Sequence, residues 1–389
     1  MRVVQVNLVY DDRLTDPDAL LDHYWTLTGW SDALAASGAS VSVVQRFSRD
    51  ARVTRRGVDY RFCADARPPH LPPWASSRSI TKAVADAAAD VVHVNGLTFP
   101  VQTWMLRRHL PAATAVVVQS HSSDRPIGRA PALRLSARAT RGSADAFLFA
   151  ADAHVDPWRR AGIVGPHDRT YQVMEASTTF QRMPAADARA EVARTAEPAS
   201  TLLSGSPAIL WVGRLNANKD PLTVLDGFER ALERCPNATL TMIYSTDELL
   251  QAVRARVERS SPLRERVALV GRVPHNRVAA FLSLADIYVV GSRHEGSGYA
   301  LMEACACGAV PVVTDIPTFR ILTCDGSFGT LWPPGDAAAC ARALGEIGAS
   351  DLQAIRTRMM KQFDRELSWN AIGRRAIEVY RQLAEHRPR

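Results

Sequence analysis

The sequence predicts a doubly wound α/β protein built from two domains. Three observations carry that expectation. Short β-branched runs recur along the chain, Ala- and Leu-rich amphipathic stretches separate them, and the alternation breaks once near the middle. Near-continuous Val, Ile and Leu runs mark strands buried on both faces, which is what crossover helices do to a parallel sheet.

Residues 2–9 (RVVQVNLV) read as the first strand and residues 18–36 as the helix that follows. Asp16 caps that helix with Pro17 at its first position, which also explains Asp16-Pro17-Asp18 without a metal. Further strands are expected at 40–45, 91–94, 115–119, 146–149 and 170–174, with a helix over 80–89 among the crossovers. Together these make one sheet and a first domain over residues 1–180. The stretch 181–206 (QRMPAADARAEVARTAEPASTLLSGS) holds Pro, Ser and Ala without a clear strand and reads as a linker or irregular edge. Alternation resumes in a second domain over 207–365. Its strands are expected at 208–212, 239–244, 267–270, 287–290 and 310–314, its helices at 221–234, 247–259, 277–285 and 299–308. Residues 337–347 and 351–383 read as successive helices.

Apolar residues make up 47% and charged residues 22%, which excludes a disordered chain and a coiled-coil rod. The net charge of +7 is divided between both halves, so no nucleic-acid partner is expected. The six cysteines form no CxxC pair, and Cys305-Ala-Cys307 is too tight for a zinc-finger spacing. The start MRVVQVNLVYDD has no signal-peptide pattern, so a cytoplasmic location is expected. No uncharged apolar run approaches the roughly 20 residues that span a bilayer. Absence of GxGxxG after the first strand argues against a dinucleotide dehydrogenase.

The chemistry concentrates in the segment from Gly291 to Thr314, where a glycine-flanked loop leads from a buried strand into a helix stopped by Gly308. Free N–H groups at a helix start form an anion site, and Gly296 and Gly298 allow a phosphate close to the backbone. Glu295 and Glu303 are carboxylates that can each accept two neighbouring hydroxyls of a sugar or ribose. The plainer alternative has Glu295 favouring the helix dipole and Glu303 facing solvent. Upstream, Gly213-Arg214-Leu215 and Lys219 supply cations, and Lys219 is one of only three lysines in the chain, so its place in a motif carries weight.

The Glu, seven residues, Glu arrangement followed by Glu303-Ala-Cys-Ala-Cys-Gly308-Ala-Val-Pro-Val-Val resembles the donor site of retaining glycosyltransferases of family 4 (glycosyl transferases group 1). The segments Ile209-Leu-Trp-Val-Gly-Arg214-Leu-Asn-Ala-Asn-Lys219 and Gly271-Arg-Val273-Pro resemble further parts of it. The resemblance implies a type B fold, two Rossmann-like domains facing each other across a cleft. The first would hold the acceptor and the second the donor, and residues 366–389 would form a helix bracing the first. It implies donor contacts from Arg214 and Lys219 on the diphosphate, Val273 at the nucleobase, Gly296, Ser297, Gly298 and Tyr299 in the loop, and Glu303 on the ribose. Glu295 and His121 become candidate catalytic residues beside the sugar. Their substrate would be a UDP- or GDP-linked hexose and an unidentified hydroxyl acceptor, with no metal and no cofactor. Arg134, Arg138 and Arg141 fall on one helix face, which is either solvated or makes a weak peripheral contact with anionic headgroups or a phosphorylated acceptor. The alternatives are a nucleotide-sugar epimerase or hydrolase on this fold, and a non-catalytic nucleotide- or glycan-binding protein.

Overall fold

The computed structural model describes residues 1–65, 75, 77–121, 130–195, 203 and 205–386. The chain divides into two compact units, Met1–Ser177 with Ser368–Arg389, and Thr178–Leu367. Each is a parallel sheet flanked by helices, the doubly wound α/β class that the sequence predicts.

The first unit holds β1 (Arg2–Asn7), β2 (Ser40–Phe47), β3 (Ala51–Arg55), β4 (Val58–Ala64), β5 (Val91–Asn95), β6 (Ala115–Gln119), β7 (Ala146–Phe149) and β8 (Thr170–Gln172). Their order across the sheet is β3-β4-β2-β1-β5-β6-β7-β8, and all neighbours are parallel except β3 with β4. Side-chain alternation sends Val4, Val6, Val92, Val94, Val116 and Val118 to one face, where they pack on Ile80, Val84 and Leu106 from helices Arg78–Asp86 and Pro100–His109.

The sequence reading misses the β3–β4 hairpin, whose turn is Arg56-Gly57 with φ of 52° and 78°. Two left-handed residues make the tight turn that suits a twisted hairpin, and arginine at the first of them hides the usual Asn-Gly signal. The single helix expected over 18–36 is two, Pro17–His23 and Trp25–Ala36, parted where Tyr24 leaves helical geometry at ψ 56°.

The second unit holds β9 (Ala208–Gly213), β10 (Thr239–Tyr244), β11 (Val267–Gly271), β12 (Ile287–Val290), β13 (Val310–Thr314) and β14 (Thr330–Trp332) in the order β11-β10-β9-β12-β13-β14. The three-residue β14 is absent from the sequence expectation because so short a strand shows no period.

The described part of 181–206 is not simply irregular. Helix Ala185–Thr195 buries Ala188 and Val192, packs on helix His275–Leu284, and is preceded by a bond from Met183 N–H to Ser283 Oγ at 3.0 Å. Its alanines favour helix, and Pro184 stands just before it with a carbonyl accepting from Ala188 N–H at 3.0 Å. Among the described residues no helix is long and apolar enough to cross a membrane.

Candidate active site

In the second unit the chain builds β9, β10 and β11 outward on one side, then returns to lay β12 against the other side of β9. Loops leaving the carboxyl ends of β9 and β12 therefore diverge from one point, where open parallel sheets bind ligands. Arg214 and Lys219 follow β9, and residues 291–298 follow β12, so topology brings the two predicted motifs together.

Bonds between the loops fix them. Asn218 Nδ2 donates to His294 O at 2.9 Å, Arg293 N–H donates to Asn218 O at 2.8 Å, and the Arg293 guanidinium meets Asp220 Oδ2 at 2.6 Å. Asp220 in turn caps helix Pro221–Ala231 through Thr223 N–H. Lys219 Nζ pairs with Glu295 Oε1, which also accepts from Ser292 Oγ at 2.6 Å. Both side chains of the pair are only 14% exposed, so each largely neutralises the other out of water. Arg214 is exposed and takes no side-chain partner among the described residues.

Gly298 is the N-cap of the nine-residue helix Tyr299–Cys307. Its φ of 66° is left-handed, which favours glycine, and a Cβ there would lie 2.7 Å from Leu322 Cδ1 and push that side chain aside. Just ahead of it, Ser297 is buried with a hydroxyl that finds no partner among the described residues. An orphaned hydroxyl beside a helix amino terminus is the chemistry an anionic oxygen would satisfy. Tyr299 is 38% exposed, and Val273 is buried at the turn before helix His275–Leu284.

Glu303 lies inside its helix, buried, with Oε1 2.6 Å from His275 Nε2. The His275 ring lies on Phe180 with centroids 4.8 Å apart. Sequence reasoning passes over both rings. The signal available is His275 directly after the Val273-Pro274 turn, but its partner stands 28 residues on.

The bond to Glu303 raises the His275 pKa above the ordinary imidazole value, against the opposing effect of burial. A raised folded pKa stabilises the protein fully below the unfolded value near 6.5, and that contribution disappears as pH rises through the folded value. The difference in thermal midpoint between the wild type and His275→Ala is therefore expected to narrow from about pH 6 to about pH 9. It stays small because the imidazole side chain is 58% exposed. A gap that is constant across this range rules the pair out as a titrating contact.

The first unit has its own switch point, between β1 and β5. Asn7 ends β1 and Asn95 ends β5, and Asn95 Nδ2 donates to Asn7 Oδ1 at 2.6 Å. His121, two residues past β6, places Nε2 2.9 Å from Asn95 Oδ1 and Nδ1 3.1 Å from Glu175 Oε2. Of this group only His121 is a predicted site residue. Two residues of the loop after β1 close on themselves, Arg13 forking onto Asp11 with Nε–Oδ1 at 2.9 Å and Nη2–Oδ2 at 2.7 Å. Arg134, Arg138 and Arg141 are exposed on and just after helix Ala130–Ala139, which also carries Leu135 at 72% exposure.

The sequence model described as "Glycosyl transferases group 1" matches residues 206–349, which contain β9 to β14 and both loops. The chain carries a group 1 glycosyltransferase domain. GDP-mannose:cellobiosyl-diphosphopolyprenol alpha-mannosyltransferase of Xanthomonas campestris is similar to it, 26% identical over 75% of this chain and 74% of that protein. So is phosphatidyl-myo-inositol mannosyltransferase of Mycobacterium leprae, 28% identical over 47% of this chain and 49% of that protein. The match thus spans about half the length of the second relative. The solved sucrose-phosphate synthase of Thermosynechococcus elongatus aligns with a TM-score of 0.66 over 98% of each chain at 19% identity. That likeness shows the fold, the type B glycosyltransferase architecture of two Rossmann-like units. In the glycosyltransferase domain, then, Arg214, Lys219, Glu295, the Ser297–Gly298 turn and Glu303 stand on the loops after β9 and β12 and on the helix that follows.

Proposed function

We propose that this glycosyltransferase moves mannose, with retention and without a metal ion, from GDP-mannose to a hydroxyl of a lipid-linked acceptor. The observation that carries the reading is the cation, carboxylate and helix amino terminus gathered at the β9/β12 switch point. Donor and acceptor class rest on the names of the two mannosyltransferase relatives, one of which acts on a diphosphopolyprenol and the other on a phosphatidylinositol.

Chemically, breaking the glycosidic bond leaves an extra negative charge on the nucleoside diphosphate. Lys219, held by Glu295, and the amide groups at the start of helix Tyr299–Cys307 are fixed positive groups that favour this charge more in the transition state than before it, and the exposed Arg214 adds a second cation beside them. Glu303 would accept the ribose hydroxyls with the carboxylate oxygen that His275 leaves free, and Glu295 would face the sugar. With no side chain clearly a nucleophile, retention comes from attack on the face the leaving phosphate departs from. The exposed Arg134, Arg138, Arg141 and Leu135 fit a weak contact with an anionic membrane surface, where such an acceptor resides.

Isothermal titration against GDP, UDP and ADP tests the site. GDP is expected to bind in the micromolar range, and Arg214→Ala and Glu303→Gln each to weaken it at least tenfold, about 1.4 kcal/mol. Turnover of GDP-mannose with a polyprenyl-diphosphate disaccharide should give an α-linked product by NMR. Binding of no nucleotide, or binding indifferent to both substitutions, would move the non-catalytic reading to the front.

A further inference from the structure

Glu175 has no part in the reading above, yet it is a carboxylate only 3% exposed, standing three residues past the end of β8. A buried carboxylate needs a counter-charge or strong donors. Its Oε2 has no hydrogen-bond partner of good geometry among the described residues, and the group facing it is His121 Nδ1 at 3.1 Å. The other ring nitrogen, Nε2, faces Asn95 Oδ1 at 2.9 Å. Asn95 donates one Nδ2 hydrogen to Asn7 Oδ1, an amide orientation that turns its acceptor Oδ1 toward His121. Both nitrogens of His121 thus face acceptor oxygens.

We propose that Glu175 is a positioning residue which fixes the His121 ring with a hydrogen on each nitrogen, so that His121 offers a donor to an oxygen of the bound substrate. Resting on the glycosyltransferase reading, the assignment gives that oxygen a class: a phosphate or sugar oxygen that accepts from Nε2–H in place of Asn95 Oδ1. Glu175 orients and never touches the substrate itself.

Among the described residues the other titratable group facing His121 is His93, buried on β5. Burial first, and then the nearby His121, push the His93 pKa down to about 3 against the opposing contacts of Gln119 and Asn95, which keeps His93 neutral. Tyr380 Oη bonds His93 Nδ1 from the last helix.

The test is the ¹⁵N NMR signature of the His121 ring in the full chain at pH 7, assigned by its loss in His121→Gln. Both nitrogens are expected to show bound hydrogen in the wild type and one of them to lose it in Glu175→Gln. A purely structural role for Glu175 would leave that signature unchanged. A wild type with one bare ring nitrogen overturns the proposal without any variant, as does an unchanged signature in a folded Glu175→Gln protein. In parallel, Glu175→Gln should lower kcat at least tenfold with the donor KM within twofold, and an unchanged kcat overturns the positioning role. If no donor turns over in the wild type, the glycosyltransferase reading fails on its own while the NMR result still decides Glu175.

Discussion

Lys219→Ala is expected to lower kcat/KM for the donor by about 10²- to 10³-fold, the size of effect seen when one preorganised charge-stabilising donor is removed from an enclosed site. Lys219 follows β9 at the switch point, is 14% exposed, and is held toward the second loop by Glu295. Its ammonium is therefore held largely out of water and already in place before any leaving group forms, so that, although Glu295 offsets part of its charge, it needs no reorganisation to meet the developing anion. Removing it has a second effect. Among the described residues Glu295 then keeps only the Ser292 hydroxyl at 2.6 Å, and a mostly buried carboxylate without its cation is destabilised. Two further variants separate these contributions. Lys219→Ala combined with Glu295→Gln should recover thermal stability without recovering rate, whereas Lys219→Arg should recover stability in part and rate only slightly, because a planar fork does not occupy the place of a compact ammonium. Steady-state kinetics that leave kcat/KM of Lys219→Ala within threefold of the wild type would remove Lys219 from the reaction.

Much of this site is legible in the sequence because its parts are local. The loop from Gly291 to Gly298, the helix after it and the Gly308 stop lie in one stretch, and helix capping favours glycine at position 298, where φ is 66°. The pairing of Lys219 with Glu295 is less legible, since it depends on β12 returning to the side of β9. The first unit shows where reading from sequence ends. Asn7, Asn95, His121 and Glu175 are spread over most of that unit's chain; the first three meet because β1, β5 and β6 are neighbours, and Glu175 reaches His121 from the segment after β8. An asparagine at a strand end looks like turn chemistry until its partner is known. Helix Ala185–Thr195 escapes detection for another reason. Its buried face is only Ala188 and Val192, too few apolar side chains to set a period.

Gly373→Ala is expected to destabilise the first unit by about 3 kcal/mol, although alanine is the better helix former by roughly 1 kcal/mol. The position decides the sign. Helix Trp369–Glu385 lies on helix Trp25–Ala36 within the first unit, and a Cβ at Gly373 would stand 2.3 Å from Ala33 O and 2.7 Å from Ala33 C. Both are backbone atoms, so no rotamer relieves the clash and one helix must shift. The contact is reciprocal: Gly29 on the other helix leaves the space filled by Trp369, whose Cζ2 would meet a Cβ there at 2.4 Å. A shift large enough to admit the methyl group also disturbs Tyr380, whose hydroxyl bonds the buried His93 Nδ1, and Trp30, whose ring stands 5.4 Å from that imidazole. The cost therefore passes beyond one crowded atom pair into the buried aromatic cluster under β5. For a unit of this size a loss of about 3 kcal/mol corresponds to a fall of roughly 6–12 °C in its thermal midpoint. Calorimetry on the full chain should show that fall in the transition of the first unit, while the unit carrying residues 206–349 holds its own midpoint. A rise in the midpoint would mean that helix propensity outweighs packing at this crossing.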